Sequence, residues 1–253
     1  LIGVSPLFAQ QGVTQCGTPT GQPKFPIETY QELPDPSSPS DKDWAAVTNP
    51  QISWGTIDTR YAKHRLPQLK KQQLTTLKGW RGERINAQAV VWTGTEVKDL
   101  NFSFTDFKDK KGNSLSDEAF KAGFIRYVMT DELNKDGRGA CGHRQAVDYD
   151  SLLVADPIDT NLKSMSVPAR TVQPIWVQCW IPQSATPGTY QGELLINDGS
   201  RLLQRLNLEI TVSSRELPQP SEWKSRPASL PCRHLTKRRS RMSRSRTKCP
   251  CNC

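Results

Sequence analysis

The chain has 253 residues, with 34 Lys and Arg against 25 Asp and Glu, so its formal net charge is +9 at pH 7. Nine of the basic residues and none of the acids lie in residues 225–253, so residues 1–224 are formally neutral. A basic balance usually points to nucleic acid, but here the surplus belongs to a tail, so no nucleic-acid partner is expected for the rest of the chain. No apolar run approaches the roughly 18 residues of a spanning helix, and no membrane span is predicted.

The N-terminal 43 residues predict a targeting segment followed by a leader. Residues 1–9, LIGVSPLFA, resemble the end of a secretory signal peptide with cleavage after Ala9, because an apolar run ends in a small residue and polar residues follow. This predicts export to the periplasm or the cell exterior; the alternative is an apolar terminus with no targeting role. Residues 10–43 are rich in Gly, Pro, Ser, Thr and Gln, which predicts a flexible leader.

Residues 44–216 read as one strand-rich domain, with order expected from Trp44. Leu206, Leu208, Ile210 and Val212 alternate with polar residues, which predicts a strand with one buried face. Only 115–122 has a helix-like start. Further strands are predicted at 51–59, 73–79, 84–92, 100–104, 122–130, 172–181 and 189–197, the last joined to 201–213 as a hairpin. This pattern favours an all-β fold, an antiparallel two-sheet β-sandwich.

The C-terminal residues predict a linker and then a disordered tail. The segment LPQPSEW begins an interdomain linker at 217–224, because its prolines cannot continue a strand ladder. Residues 225–253 form a basic tail with three interpretations: phosphate binding by its arginines, soft-metal binding by Cys249, Cys251 and Cys253, or translation in a shifted reading frame. We favour the shifted frame, because an Arg/Ser/Cys/Pro-rich, acid-free sequence follows the linker abruptly.

No metal or cofactor site is predicted. His64 and His143 have no second ligand at metal spacing, and the glycine-rich segment 137–143 lacks the ending of a phosphate loop. Export permits a Cys141–Cys179 disulfide, although the spacing does not require one. We expect Cys179 to be a buried free thiol, because it lies in an apolar strand.

An ordered set of strand motifs carries a family resemblance. The motifs are SWGTIDTRY at 53–61, GWRGERINAQ at 79–88, VKDL at 97–100, FIRYV at 124–128, LLVADP at 152–157, PIWV at 174–177, PGTYQG at 187–192 and LPQPSEW at 217–223. This succession resembles the N-terminal β-sandwich domain of glycoside hydrolase family 123-like proteins, over roughly residues 44–223. In that family the sandwich precedes a (β/α)₈ barrel, and the enzymes are similar to β-N-acetylgalactosaminidases.

The resemblance implies a non-catalytic domain of a truncated glycosidase. The family's catalytic Asp-Glu pair belongs to the barrel and acts with the acetamido group of the substrate. We expect the barrel to be missing here, so no catalytic residue is assigned and the chain alone is not expected to be an enzyme. The dipeptides Asp117-Glu118 and Asp131-Glu132 lie in or beside polar turns and are read as solvated carboxylates.

Four residues are candidates for carbohydrate binding: Trp80, Arg81, Trp176 and Trp180. A Trp beside arginines can stack on a pyranose ring while the charged groups bind hydroxyls, and Trp176 and Trp180 share one face of their strand. The structural interpretation, in which these residues pack in the core, pair along an edge or dock onto the barrel, is favoured. The alternatives are a free-standing carbohydrate-binding module and nucleic-acid binding through the basic tail.

Overall fold

The structure, a computed structural model, describes residues 32–35, 37–130 and 152–218. Within these residues lie a short helix, α1 (Asp41–Trp44), a 3-10 helix (Asp117–Ala119) and twelve strands. The strands are β1 (Gln51–Gly55), β2 (Leu74–Arg81), β3 (Arg84–Thr93), β4 (Val97–Phe104), β5 (Phe107–Lys108), β6 (Ser114–Leu115), β7 (Phe120–Thr130), β8 (Leu152–Asp159), β9 (Ser164–Val167), β10 (Thr171–Trp180), β11 (Gly188–Asp198) and β12 (Arg201–Glu216).

The strands form two sheets that pack face to face. One sheet has five strands in the order β1-β3-β10-β7-β8, all antiparallel. The other has seven strands, in the order β2-β12-β11-β4-β9, with β5 paired to β11 and β6 to β5. In this second sheet β2 and β12 run parallel, and the other pairs are antiparallel. The predicted two-sheet β-sandwich is therefore confirmed, with one parallel pair in addition.

The core lies between the two sheets and follows the period of two. On β12 the buried residues are Leu206, Leu208, Ile210 and Val212, as the alternation predicts. The five-stranded sheet faces them with Ile85, Ala87, Ala89, Val91, Phe124, Ile175, Val177 and Cys179, among others. Each large apolar side chain buried in this way contributes about 1.5–3 kcal/mol to folding, so this interface is the main source of stability.

The outer face of the five-stranded sheet is also partly apolar. A second cluster there joins Trp44, Tyr61, Val90, Trp92 and Val172, all buried. The segment between β1 and β2 reaches this face, and Ala62 forms a β-bridge with Val154 of the edge strand β8. This segment therefore covers apolar surface and part of a sheet edge that would otherwise be open to pairing.

The helix-like start at 115–122 forms no α-helix. Strand β6 ends at Leu115, a single 3-10 turn covers Asp117–Ala119, and β7 begins at Phe120. The ring of Phe120 stacks on Phe107 with centroids 4.0 Å apart, inside the core. Burial of this ring in the sandwich outweighs the local helix preference of the preceding polar residues.

The predicted domain boundaries are covered only in part by the described residues. The targeting segment 1–9, the leader as far as residue 31, and the tail 225–253 lie outside them, and their predicted character stays a prediction. Residues 32–35 and 37–43, predicted as leader, contact the sandwich through Glu32 and Asp41. The compact unit ends at Leu217, where the sequence predicts the linker 217–224. Among the described residues no helix has the length and apolar character needed to cross a bilayer.

Candidate functional site

The β2–β3 turn carries the chain from one sheet to the other and forms a corner of the sandwich. Gly82 has a φ of 84°, a backbone conformation that favours glycine, and its N–H donates to the carbonyl of Ile181 at 2.8 Å. Glu83 donates its N–H to the carbonyl of Trp80 at 3.1 Å, and its carboxylate accepts the N–H of Trp80 at 2.8 Å. The turn is thus fixed by both backbone and side-chain hydrogen bonds.

Two exposed tryptophans flank this corner. Trp80 is 39% exposed on the outer face of the seven-stranded sheet, and Trp180 is 54% exposed on the outer face of the five-stranded sheet. The Arg215 guanidinium lies 5.5 Å from the centre of the Trp80 ring, and that of Arg84 lies 4.7 Å from the Trp180 ring. A guanidinium over a ring restrains its orientation. We call Trp80, Arg81, Glu83, Arg84, Trp180 and Arg215 the corner surface.

Arg81 ties the corner to the place where the chain leaves the sandwich. Its guanidinium donates to the carbonyl of Gln183 at 3.1 Å and to that of Ser214 at 3.4 Å, and it lies 3.2 Å from the Glu216 carboxylate. The Leu217 N–H donates to the Arg81 carbonyl at 2.8 Å. Among the described residues no partner is found for the buried Nε of Arg81. These contacts join Arg81 to the end of β12 and to Leu217.

A groove of about 670 Å³ lies beside the Trp80 ring. Its walls include Lys78, Glu83, Thr211, Ser213 and Leu217, so one aromatic ring is accompanied by an ammonium, a carboxylate and two hydroxyls. A ring with polar groups around it is able to hold a sugar by stacking and hydrogen bonding, and equally able to receive a protein surface.

Trp176 occupies a different environment from Trp180, although both lie on the same face of β10 as predicted. It is half-buried and packs against the cluster of Ile125, Tyr127, Leu153 and Ala155. Four residues along a strand span roughly 13 Å, so the two rings are too far apart to stack on one sugar. The structure therefore places Trp80, Arg81 and Trp180 around the corner and leaves Trp176 apart from it.

Asp117, Glu118 and His64 are the other described residues that the sequence offers for chemistry. Asp117 and Glu118 are exposed on the 3-10 turn, whose cap Ser116 accepts the N–H of Glu118 at 3.3 Å. His64 has its Nε2 3.4 Å from the Asp35 carboxylate and its Nδ1 2.9 Å from the Arg170 carbonyl. Within the described part of the chain no three His, Cys, Asp or Glu residues come together as metal ligands. The dipeptide 131–132, Cys141, His143 and the segment 137–143 lie outside it.

Cys179 is a buried free thiol, as the sequence predicts. Burial raises the pKa of this thiol to about 12, so the reactive thiolate is rare near neutral pH.

Sequence reasoning missed one charged cluster. Glu32, Lys63, Arg126 and Asp159 form a partly buried ion-pair network beside strands β7 and β8. The four residues are dispersed over more than 120 positions, and Glu32 lies in a segment whose composition indicates a leader. No local pattern brings them together, so only the tertiary structure shows the cluster.

Comparison with solved structures finds the same fold in a glycosidase. The chain is similar to a family 123 glycoside hydrolase from Clostridium perfringens, described in work on glycolipid glycan hydrolysis, with 20% identity and a TM-score of 0.55. The match covers 69% of this chain and 29% of the hydrolase, so the chain spans less than a third of that enzyme. At this identity the likeness shows the fold alone.

Two other solved structures resemble the chain only weakly, and no conclusion is based on them. The PapD-like domain 7 of human CEP192 matches with 11% identity and a TM-score of 0.34, over 74% of this chain and 95% of that domain. The N-terminal domain of PorA matches with 8% identity and a TM-score of 0.31, over 65% of this chain and 99% of that domain. No curated protein matches the chain.

The sequence itself identifies the family. The family described as the glycoside hydrolase 123 N-terminal domain matches residues 54–198, which is more than half of the chain. The matched range runs from β1 to the end of β11 and includes the β2–β3 corner. The chain therefore belongs to the glycoside hydrolase 123 N-terminal domain family.

Proposed function

We propose that the sandwich is the non-catalytic accessory domain of a glycoside hydrolase family 123-like protein. In this proposal a separate (β/α)₈ barrel hydrolyses an N-acetylhexosaminide, and the sandwich packs against it and shapes one side of the sugar cleft. The family match over 54–198 is the observation that carries the proposal. The similar Clostridium perfringens enzyme, of which this chain spans 29%, supports the expectation that the chemistry lies in another domain.

The corner surface is the place where we expect the barrel to pack. Trp80 and Trp180 are 39% and 54% exposed. Leu217, where the compact unit ends, donates its N–H to the carbonyl of Arg81, the residue that follows Trp80. Large exposed aromatic rings are common anchors of protein interfaces. A domain that follows Leu217 along the chain meets this surface first.

The nucleotide sequence downstream of the Trp223 codon tests the proposal. We expect barrel-coding sequence there in a frame other than the one that encodes residues 225–253, since that tail has the composition of a shifted frame. A downstream region with no barrel-coding sequence in any frame contradicts both the truncation and the accessory role.

A carbohydrate-binding module is the second candidate, favoured by the two tryptophan rings that Arg215 and Arg84 hold in place. Affinity electrophoresis in gels that contain amino-sugar polymers separates the two functions. The accessory role predicts no retardation of the wild-type chain. Retardation that Trp80→Ala or Trp180→Ala abolishes supports the binding module instead. Leu202→Ala is the matched control, because this exposed residue lies at the opposite end of β12.

Two further proposals concern the segments at the two ends of the sequence. We propose export to the periplasm or the exterior, and N-terminal sequencing of the secreted protein is expected to begin at Gln10. We propose no nucleic-acid partner, and a gel-shift assay is expected to show at most salt-sensitive binding that disappears when residues 226–248 are deleted.

A further inference from the structure

An N-terminal segment lies against the five-stranded sheet and its connecting segments and makes four separate contacts there. We call residues 32–35 and 37–44 the N-terminal clasp. Glu32 bridges Lys63 and Arg126, Asp35 faces His64, Asp41 pairs with Arg170, and Trp44 is buried. The charged partners lie on strand β7, in the connection between β9 and β10, and in the segment between β1 and β2.

The strongest contact is a site that receives the Glu32 carboxylate. Its Oε2 lies 2.7 Å from the Lys63 ammonium, and its Oε1 lies 3.0 Å from Arg126 Nε and 3.4 Å from the Tyr127 N–H. The side chains of Glu32, Lys63 and Arg126 are only 15%, 20% and 17% exposed. Each oxygen of the Glu32 carboxylate therefore faces a positively charged donor, and all three side chains are largely shielded from solvent.

Arg126 connects the site to a second carboxylate. Arg126 also reaches the Asp159 carboxylate, 7% exposed, with Nη1 at 3.4 Å. Asp159 is held in turn by the N–H groups of Asn161 and Leu162. Removing the Glu32 carboxylate takes from the partly buried Lys63 ammonium the counterion that the described residues give it.

The pKa of Glu32 is affected in opposite directions by burial and by its charged partners. Burial alone would raise the pKa of this carboxyl, but the hydrogen bonds and charges of Lys63 and Arg126 lower the pKa below its ordinary value of 4.5. The ionised form is accordingly the one that the site favours.

The clasp continues from this site to the second apolar cluster. Trp44 ends α1, its ring is buried with Tyr61, Val90 and Trp92, and its Nε1–H donates to the His64 carbonyl at 2.9 Å. The ion pair and the buried ring hold the two ends of the clasp against the five-stranded sheet. An anchored segment of this kind covers apolar surface that the sheet would otherwise expose.

We propose that Lys63, Arg126 and the Tyr127 N–H form a carboxylate-binding site whose ligand is Glu32, and that the clasp is an integral part of the folded domain. The folded unit then begins at or before Glu32. That is 22 residues ahead of the start of the family match at residue 54 and 12 ahead of Trp44.

Hydrogen exchange of the full chain, followed by mass spectrometry, tests the proposal. Glu32→Gln keeps the shape of the side chain and removes its charge. We expect exchange in residues 37–44 to accelerate roughly tenfold or more, because the site then holds an unpaired charge, while β11 and β12 keep their protection. Glu193→Gln is the matched control, because Glu193 pairs with Arg205 at 2.7 Å on the outer face of the other sheet.

Two further measurements keep the test decisive. In the Glu32→Gln/Lys63→Met double variant the uncompensated charge of Lys63 is removed, so the acceleration is expected to be smaller than the sum of the two single effects. In the wild-type chain residues 37–44 are expected to be protected. Complete exchange of these residues at the earliest time, or equal effects of Glu32→Gln and Glu193→Gln, overturns the proposal.

Discussion

Cys179 packs in the core between the two sheets. It lies between Gln178 and Trp180 on β10, and its position facing the core makes it 1% exposed. Its burial was predicted from its place in an apolar strand, whereas the sequence permitted either a free thiol or a disulfide with Cys141. The pairing of Glu32 with Lys63 and Arg126 is different, because charged residues far apart in sequence carry no such pattern.

The raised pKa of Cys179, about 12, predicts that this thiol resists alkylation in the folded chain. At pH 8.5 we expect iodoacetamide to leave the peptide that contains Cys179 unlabelled, and to label it after unfolding in guanidinium, because the thiolate is the reactive form. Peptide mapping by mass spectrometry measures the modification. Labelling of Cys179 in the native chain at the rate of the unfolded chain would show that the thiol is not in the core.

The lowered pKa of Glu32 predicts a loss of stability in acid. A carboxyl with a folded-state pKa below its unfolded value of 4.5 stabilises the fold above that pH, and this contribution is lost as the pH falls through the folded pKa. At pH 7 we expect Glu32→Gln to lower the free energy of unfolding by about 1 to 3 kcal/mol.

Urea unfolding at several pH values measures this effect. The difference between the wild type and Glu32→Gln should narrow as the pH falls below 4.5, because protonated Glu32 then resembles Gln. A difference that is the same at pH 7 and pH 3 would mean that the Glu32 charge contributes nothing to the fold.

At the scale of elements, the long alternating strands were predictable and the pairings between distant strands were not. Strands β3, β10, β11 and β12 lie within one to three residues of their predicted bounds, because their side-chain period and their turns are local. The parallel pairing of β2 with β12 joins residues more than 130 positions apart. No turn specifies it, so the sequence pattern alone leaves it open.

Short elements were missed for a second reason. Strands β5 and β6 have two residues each, and β9 has four, too few for a period to be recognised. Their positions depend on the core that they border. Phe107 of β5, for example, is 1% exposed and stacks on Phe120, a contact that the local sequence of either strand does not specify.

The β2–β3 corner predicts a stability cost for a side chain at Gly82. With a φ of 84°, Gly82→Ala is expected to lower the free energy of unfolding by about 1 to 2 kcal/mol, and a Cβ there also approaches Gln183 Cγ at 3.2 Å. Gly112→Ala is the control for backbone strain alone, since Gly112 has a φ of 87° and nothing within 4 Å of its Cβ position. Thermal unfolding compares the two. A Gly82→Ala chain as stable as the wild type contradicts the described turn.

At the scale of the whole molecule, the fold and the family were within reach of the sequence, and the arrangement of the site was only partly so. The ordered motifs from residue 53 to residue 192 predicted a sandwich of the family that the comparison identifies. The sequence placed Trp80 and Arg81 side by side, but the turn of β2 into β3 and the end of β10 bring Trp180 to the same corner. Trp176, on the same strand as Trp180, belongs instead to an apolar cluster.

In the proposed function the sandwich supports a separate catalytic domain, and that domain carries out the hydrolysis. Among the described residues, the carboxylates of the corner are engaged with the fold itself: Glu83 accepts the Trp80 N–H, and Glu216 pairs with Arg81. Such engaged groups are suited to holding a surface in shape. In this proposal the exposed rings of Trp80 and Trp180 are the residues that contact the partner domain.

Hydrolysis of an aryl N-acetyl-β-galactosaminide by the purified 253-residue chain tests this division most directly. We predict release of the aryl group no faster than in buffer, with circular dichroism confirming that the sandwich is folded. Turnover above that background, retained through purification and lost on unfolding, would contradict the supporting role and place the reaction within this chain.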